Sequence, residues 1–210
     1  MQNTYENTTI SAFLEELSSA APAPGGGSVA ALSGAMAASL VMMVCNLTVD
    51  KEQFAETKKE ITGILGKALD LREELMSAVD EDVQAYNAVI SCYRLPKGTQ
   101  EEASRRKEQL QTALKQANEV PYRTAEKCYR VLELTRRLPQ IGNPNAVSDV
   151  AVSAHLAEAA LQSALYNVDI NCNYILDDTY VQDYRKKRNA LSEQAVITRK
   201  DVIEEVRTVL

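Results

Sequence analysis

The stretch that decides the fold is residues 22–49, PAPGGGSVAALSGAMAASLVMMVCNLTV. Prolines and glycines break the chain, and the 22 residues from Ser28 to Val49 then carry no charge. That length is enough to span a bilayer. Alanine and serine contribute little to membrane insertion, however, and no basic cluster flanks the segment. The pattern favours a buried central helix over a helix buried in a subunit interface, and both over a membrane span.

Helix signals continue through most of the 210 residues. Apolar residues recur at steps of three and four between Ile61 and Tyr93, as in a long packed helix. Thr99 and Glu102 form a capping box, and Pro121 is expected to kink or split the helix that follows. The sequence therefore predicts one all-α domain over residues 1–210, an antiparallel bundle of six to eight helices with long central helices.

Composition excludes several functions. Lys and Arg total 23 against 29 acidic residues, a net charge of −6, which argues against nucleic-acid binding. The single histidine, His155, cannot form a multi-histidine metal site, and no C-x-x-C pair occurs. The four dispersed cysteines (Cys45, Cys92, Cys128 and Cys172) are typical of buried thiols in a cytoplasmic protein. We therefore expect no metal, no nucleic acid and no membrane.

The glycine run ahead of the charge-free helix is the first candidate site. Gly25, Gly26 and Gly27 allow close approach of a ligand to the backbone, and Ser28 follows them. The unpaired amides of a helix N-terminus attract phosphate or carboxylate. A tight turn with Ser28 as N-cap explains the same residues equally well.

The second candidate is Asp80-Glu81-Asp82 in the long helix. Helical geometry places Glu81 opposite the apolar stripe and the two aspartates on its flanks. A carboxylate at such an edge can be partly desolvated, which raises its pKa towards acid–base use. The angles favour Asp82 over Asp80 only slightly, and an ordinary solvated flank is the simpler explanation.

The third candidate is Gly142-Asn-Pro-Asn145-Ala-Val-Ser-Asp149, continued by Asn167 and Asn171. Asp149 and Asn167 share a helix face but lie about 27 Å apart, so they cannot touch the same atom. Asn145 is equally explained as an N-cap, and Asp149 as a charge at a helix N-terminus. A buried Asn167 or Asn171 needs a hydrogen bond to a ligand or to a neighbouring helix.

In this order, the three segments resemble the formimidoyltetrahydrofolate cyclodeaminase / methenyltetrahydrofolate cyclohydrolase family, in its stand-alone form. Further matching stretches are Phe13-Leu-Glu-Glu-Leu17 and Leu95-Pro-Lys97. The resemblance implies a helical homodimer that takes tetrahydrofolate, often as the polyglutamate, without a metal or redox cofactor. It implies either closure of 5-formimidoyltetrahydrofolate to 5,10-methenyltetrahydrofolate with loss of ammonia, or hydrolysis of that product to 10-formyltetrahydrofolate. The cyclodeaminase is slightly favoured, and a non-catalytic helical folate-binding or interaction module is the alternative.

The resemblance assigns Asp82 as the acid–base or electrostatic carboxylate. It assigns Gly25, Gly26, Gly27 and Ser28 to an anionic part of folate or to its ring, Lys97 to a folate carboxylate, and Asn145, Asp149 and Asn167 to the pterin or the pocket. Helix lengths separate some of these residues by more than 20 Å. Some are then structural, or one folate spans them, or a dimer shares the site. Arg94, Lys97, Arg105 and Arg106 offer local attraction for the folate glutamates.

Overall fold

The computed structural model describes residues 5–210, so the first four residues of the predicted domain lie outside it. This part of the chain contains seven α-helices, three short 3-10 segments and no strand. The helices are α1 (Ile10–Leu17), α2 (Gly26–Val49), α3 (Lys58–Tyr93), α4 (Gln100–Thr135), α5 (Leu138–Ile141), α6 (Val147–Cys172) and α7 (Asp178–Val209). The predicted all-α bundle with long central helices is confirmed.

The charge-free segment forms α2, which packs against α3, α4 and α6. Its side chains Val41 and Val44 are completely buried. Among residues 5–210, α2 alone is long and apolar enough to cross a membrane, yet 56% of its most apolar window is buried by the other helices. Small residues allow this packing, because a Cβ at Gly34 would lie 2.6 Å from Sγ of Cys128. The prediction of a buried central helix is therefore confirmed.

Helices α2 and α6 run antiparallel. The hydroxyl of Ser153 donates to the carbonyl oxygen of Ala37 at 2.9 Å, and near the start of α2 a Cβ on Gly26 would lie 3.6 Å from Asn167. Residues near the start of α2 therefore contact residues near the end of α6. The first turn of α2 and the last turns of α6 form one end of the bundle, which carries the candidate site.

Helix α4 begins at the predicted capping box and continues through Pro121 as one helix. Oγ1 of Thr99 accepts from the N–H of Glu102 at 3.2 Å, and the Glu102 carboxylate accepts from the N–H of Thr99 at 3.1 Å. The predicted split at Pro121 is wrong, because packing on both sides keeps the helix continuous. Proline still lacks an N–H, so the carbonyl of Ala117 loses its usual helical donor.

Candidate active site

A pocket of about 450 Å³ lies between the first turn of α2, the second half of α3, the middle of α4 and the end of α6. Its wall contains the three glycines 25–27, Asp82, Asn167 and Asn171. It therefore brings together the first two sequence motifs and the end of the third. Its volume lies in the range of small-molecule sites, about 300–1,000 Å³.

Asp82 reaches from α3 to the first turn of α2. Its Oδ2 accepts a hydrogen bond from Oγ of Ser28 at 2.8 Å, and Ser28 is fully buried. Helix α2 begins at Gly26 with Gly25 as its cap and no capping side chain. The alternative role of Ser28 as N-cap is therefore wrong, because its hydroxyl is directed to the carboxylate of Asp82.

Glycine is required at position 27 by this contact. A Cβ added to Gly27 would overlap Oδ1 of Asp82. The carboxylate thus lies against the first turn of α2, where unpaired amides attract an anion. The sequence predicted an anion at this helix N-terminus, and the carboxylate of Asp82 lies there. The glycines still line the pocket, so the other predicted role, backbone contact with a ring, remains open to them.

The environment of Asp82 changes its protonation. Burial raises the pKa of this carboxyl group above its usual value, while hydrogen bonds from the hydroxyl and backbone N–H of Ser28 act in the lowering direction. The net shift of the pKa is upward. A carboxyl group shifted in this direction exchanges a proton more readily near neutral pH than an exposed one does.

The two acidic neighbours of Asp82 have other partners. Oδ1 of Asp80 accepts from the backbone N–H of Tyr5 at 3.0 Å, and Glu81 forms a surface ion pair with Arg123 at 3.1 Å. Both also line a larger groove of about 820 Å³ between α2 and α3. That groove contains neither Asp82 nor the glycine run, so we place the candidate site in the smaller pocket. The structure thereby favours Asp82 over Asp80 as the carboxylate of the candidate site.

Asn167 and Asn171 lie one turn apart on the α6 wall. Nδ2 of Asn167 donates to the carbonyl of Ser163 at 2.9 Å, within its own helix. Nδ2 of Asn171 donates to the carbonyl of Ala117 in α4 at 3.1 Å. Asn171 therefore has the neighbouring-helix partner that its pattern allowed, and both side chains also line the pocket.

Aromatic residues form a wall that the sequence reasoning missed. Tyr86, Tyr93 and Tyr174 line the pocket, with exposures of 37%, 44% and 56%. Tyr86 and Tyr93 follow Asp82 at helical spacing, a visible signal that was interpreted as core packing. Half-exposed rings offer flat surfaces on which a ligand ring can stack.

Lys97 lies in the exposed loop between α3 and α4 and does not line the pocket. We call the basic residues around this connection, Arg94, Lys97, Arg105 and Arg106, the basic loop. Arg106, in the first turns of α4, connects it to the tyrosine wall. Its guanidinium lies 5.8 Å from the ring centroid of Tyr93, and Nη2 donates to the Tyr93 carbonyl at 3.1 Å. The basic loop thus borders the pocket at Tyr93.

Asn145 and Asp149 lie at the opposite end of α6 from the pocket. The N–H of Asn145 donates to Oδ1 of Asn143 at 3.1 Å, so Asn143 caps the short 3-10 segment Pro144–Ala146 that precedes α6. The side chain of Asn145 is exposed. Asp149 lies in the first turn of α6. Asp149 precedes Asn167 of the pocket wall by 18 residues, about 27 Å along α6. The substrate roles of Asn145 and Asp149 stay predictions, which need either one folate that spans this distance or a second copy of the chain.

The pocket thus combines flat aromatic surfaces, amide oxygens and one partly desolvated carboxyl group. Such a carboxyl can transfer a proton or stabilise a cation on a ligand. In the part of the chain that the structure describes, no group of three or more His, Cys, Asp or Glu side chains is arranged to hold a metal ion.

Similar proteins were found by sequence and by fold. The family profile described as formiminotransferase-cyclodeaminase matches residues 9–190. A methenyltetrahydrofolate cyclohydrolase from Methylorubrum extorquens is 39% identical over 202 residues, which cover 96% of this chain and 97% of that protein. A formimidoyltransferase-cyclodeaminase from Rattus norvegicus is 33% identical over 189 residues, covering 90% of this chain but 35% of that protein.

A solved structure has the same fold. The crystal structure of formiminotetrahydrofolate cyclodeaminase from Thermotoga maritima superimposes with a TM-score of 0.87 at 26% sequence identity. The match covers 97% of this chain and 98% of that one. The similarity thus includes every long helix that builds the pocket.

Proposed function

The chain belongs to the formiminotransferase-cyclodeaminase family and is a folate one-carbon enzyme, and we propose that its main reaction is hydrolysis of 5,10-methenyltetrahydrofolate to 10-formyltetrahydrofolate. The choice of reaction is supported by the 39% identity to a cyclohydrolase that this chain matches nearly end to end. It departs from the slight preference for the cyclodeaminase that was reached from sequence. The non-catalytic module is not supported, because the relatives are named as enzymes.

The partly buried carboxyl group of Asp82, hydrogen-bonded to Ser28, is the observation that carries the mechanism. The substrate has a cationic carbon between N5 and N10. Water attacks that carbon while the Asp82 carboxylate takes a proton from the water, which gives a neutral tetrahedral intermediate. Asp82 then protonates N5 as the bond from carbon to N5 breaks. The hydroxyl proton of the intermediate passes to solvent as the formyl C=O forms, so one proton is released overall.

The cyclodeaminase reaction is the second candidate, favoured by the fold shared with a solved cyclodeaminase. There N10 attacks the formimino carbon carried by N5, and ammonia leaves. Asp82 suits this reaction too, because the leaving nitrogen needs a proton and the carbon becomes an amidinium cation. The relative rates with the two substrates, followed by methenyl absorbance, decide between the reactions.

The substitution Asp82→Asn tests the mechanism. We expect kcat to fall by about 10²–10⁴-fold, because the amide cannot exchange the proton. Asp80→Asn is the matched control, since Asp80 bonds the N–H of Tyr5 and lies outside the pocket. Circular dichroism verifies that both variants are folded. Wild-type turnover in Asp82→Asn would remove that residue from the mechanism.

We further propose that the protein is a homodimer joined through α2 and α6. Helix α2 contains no Asp, Glu, Lys or Arg, although Met36, Met43 and Leu47 are exposed on it. The exposed positions of α6 are also free of those four residue types: Ser148, Val152, His155, Ala159, Ser163, Tyr166 and Ile170. On an acidic protein, a face without charge does not repel the same face of a second copy. Water is also removed from it at low cost, so it suits a symmetric interface.

A two-fold axis near the middle of this face would complete the pocket. If this axis crosses α6 at right angles, the partner's α6 runs antiparallel to it, and the start of the partner's α6 lies towards the end of α6 that carries the pocket. Ile170 belongs both to the charge-free face and to the pocket wall. The proposed dimer therefore supplies Asn145 and Asp149 from one subunit to the pocket that contains Asp82 of the other.

The basic loop suits the glutamate tail of folate, including a polyglutamate tail. Arg106 contacts Tyr93 in the pocket wall, and Arg94, Lys97 and Arg105 are exposed close to it in sequence. A ring held near Asp82 would thus direct its acidic tail along α3 towards positive charge. A Michaelis constant that is independent of salt concentration would contradict this assignment.

The proposed enzyme uses no metal or redox cofactor, since proton transfer and electrostatic stabilisation are sufficient for either reaction. We propose a cytoplasmic location and no nucleic-acid or membrane partner. The four free cysteines and the acidic net charge of −6 support this location and this choice of partners.

A further inference from the structure

Pro121 affects a hydrogen-bond acceptor in the pocket wall, the carbonyl oxygen of Ala117. Because a proline inside a helix has no N–H, the carbonyl oxygen of Ala117 lacks its helical donor. Ala117 lines the pocket and is 8% exposed. A buried carbonyl without a hydrogen bond is unfavourable, so a donor from elsewhere is needed at this point.

Asn171 supplies this donor and is thereby fixed in orientation. Its Nδ2 lies 3.1 Å from the carbonyl oxygen of Ala117. A carbonyl can only accept, so the amide group cannot be reversed and its Oδ1 is directed away from Ala117. One turn earlier, Nδ2 of Asn167 is held at 2.9 Å from the carbonyl of Ser163 in the same way. Across residues 5–210, neither Oδ1 accepts a hydrogen bond from the protein.

The α6 wall therefore presents two acceptor oxygens to a ligand. Residues one turn apart have Cβ atoms about 5–6 Å from each other, so both oxygens can serve one ring edge. The pterin ring of tetrahydrofolate carries donors on such an edge, namely its 2-amino group and the adjacent ring N–H. We propose that Asn171 determines specificity for the 2-aminopterin ring by accepting a hydrogen bond from that edge, with Asn167 as the second acceptor. This inference rests on the proposed function, which supplies the pterin.

A modified substrate tests the inference. We compare 5,10-methenyltetrahydrofolate with the analogue in which hydrogen replaces the 2-amino group. For the wild-type enzyme, the Michaelis constant of the analogue should be about tenfold higher, because a donor is missing and an acceptor is left unpaired. In Asn171→Leu the Michaelis constants of the two substrates should become similar. The change in kcat with the natural substrate should be much smaller than the change in the ratio of the two Michaelis constants.

Matched variants separate specificity from stability. Asn171→Asp keeps an acceptor oxygen, so it should retain discrimination against the analogue, although loss of the donor to Ala117 lowers its melting temperature. Asn171→Ala is the second variant if Asn171→Leu does not fold, and it should lose discrimination in the same way. Asn173→Leu is the control, because Asn173 is exposed and lies outside the pocket.

The outcomes distinguish this inference from the proposed function. Absence of turnover with every folate substrate in the wild type would contradict the proposed function. Turnover with an unchanged ratio of Michaelis constants in Asn171→Leu and Asn171→Ala would contradict the role of Asn171 alone. Loss of discrimination in Asn171→Asp as well would show that the acceptor oxygen is not the determinant.

Discussion

At the scale of single residues, the site depends on the contact between Gly27 and Asp82. No glycine among residues 5–210 has a positive φ, so the need for glycine at this position is not conformational. It is a need for space, because any Cβ would occupy the place of the carboxylate. Glycine at position 27 thus lets the carboxyl group reach the amides of α2.

We predict that Gly27→Ala reduces kcat/KM by about 100-fold or more, because a displacement of about 1 Å at a catalytic group has an effect of that size. The variant should remain folded by circular dichroism. Gly63→Ala is the control, since an added Cβ there meets no atom within 4 Å. Equal activity of Gly27→Ala and the wild type would mean that the Asp82 position is not critical.

Ser28 tunes the same carboxyl group. Its hydrogen bonds act against burial and hold the pKa of Asp82 lower than burial alone would. In Ser28→Ala the pKa of Asp82 should therefore rise further. If the carboxylate acts as the base, the acid limb of the profile of kcat/KM against pH moves to higher pH.

The control for Ser28→Ala is Ser39→Ala, because Oγ of Ser39 donates to the carbonyl of Ala35 in its own helix, at 2.8 Å, and Ser39 does not line the pocket that contains Asp82. Its acid limb should coincide with that of the wild type. A shift of the Ser28→Ala limb to lower pH would contradict the assigned direction.

At the scale of helices, close packing of α2 depends on another glycine. A Cβ on Gly34 would lie 2.6 Å from Sγ of Cys128 in α4 and 3.2 Å from Leu75 in α3. Overpacking of this kind usually destabilises by about 1–3 kcal/mol, which exceeds the gain of up to about 1 kcal/mol from replacing glycine by alanine in a helix.

We therefore predict that Gly34→Ala lowers the melting temperature. Gly66→Ala should raise it slightly, because that Cβ meets no atom within 4 Å and only the helix propensity changes. Thermal unfolding of the two variants measures the contrast. A melting temperature of Gly34→Ala above that of the wild type would mean that α3 and α4 move apart at little cost.

Helices were the part of the structure most accessible from sequence. The capping box at Thr99 and the charge-free α2 are local signals, and both were interpreted correctly. Of the two effects predicted for Pro121, a kink or a split, the split was wrong, because tertiary packing decides whether a proline splits a helix. The tyrosine wall was also missed, since helical spacing places Tyr86 on the apolar face of α3 without saying whether that face meets a helix or a cavity.

Among the site residues, too, local patterns were predicted from the sequence and tertiary contacts were not. Gly27, Ser28, Asp82 and Asn167 line or border one pocket, as their shared motif pattern suggested. The pairing of Ser28 with Asp82 joins residues 54 positions apart, which no helical period predicts. Asn145 was expected to bind the pterin or to shape the pocket, but in the proposed dimer its role depends on the arrangement of two subunits, which a single sequence does not define.

At the scale of the whole molecule, the dimer proposal has a genetic test. If Asp82 of one subunit and Asp149 of its partner form one site, Asp82→Asn and Asp149→Asn homodimers should both be inactive. Co-expression of the two variants should restore about a quarter of the wild-type activity. Half of randomly assembled dimers are then mixed, and one of their two sites is intact.

Subunit exchange is verified by purifying the mixed dimer through two different affinity tags. An inactive mixed dimer would contradict the shared site, and so would full activity of the Asp149→Asn homodimer. Either result would leave Asp82 as the carboxyl group of a pocket within one subunit.

The tyrosine wall also makes the molecule its own optical probe. The chain has nine tyrosines and no tryptophan, so tyrosine emission is not masked by indole fluorescence. Tyr86, Tyr93 and Tyr174 line the pocket, and a ring stacked against them alters the emission of three of those nine fluorophores. Ligand occupancy is thus readable without a label, even in variants that bind folate but no longer turn it over.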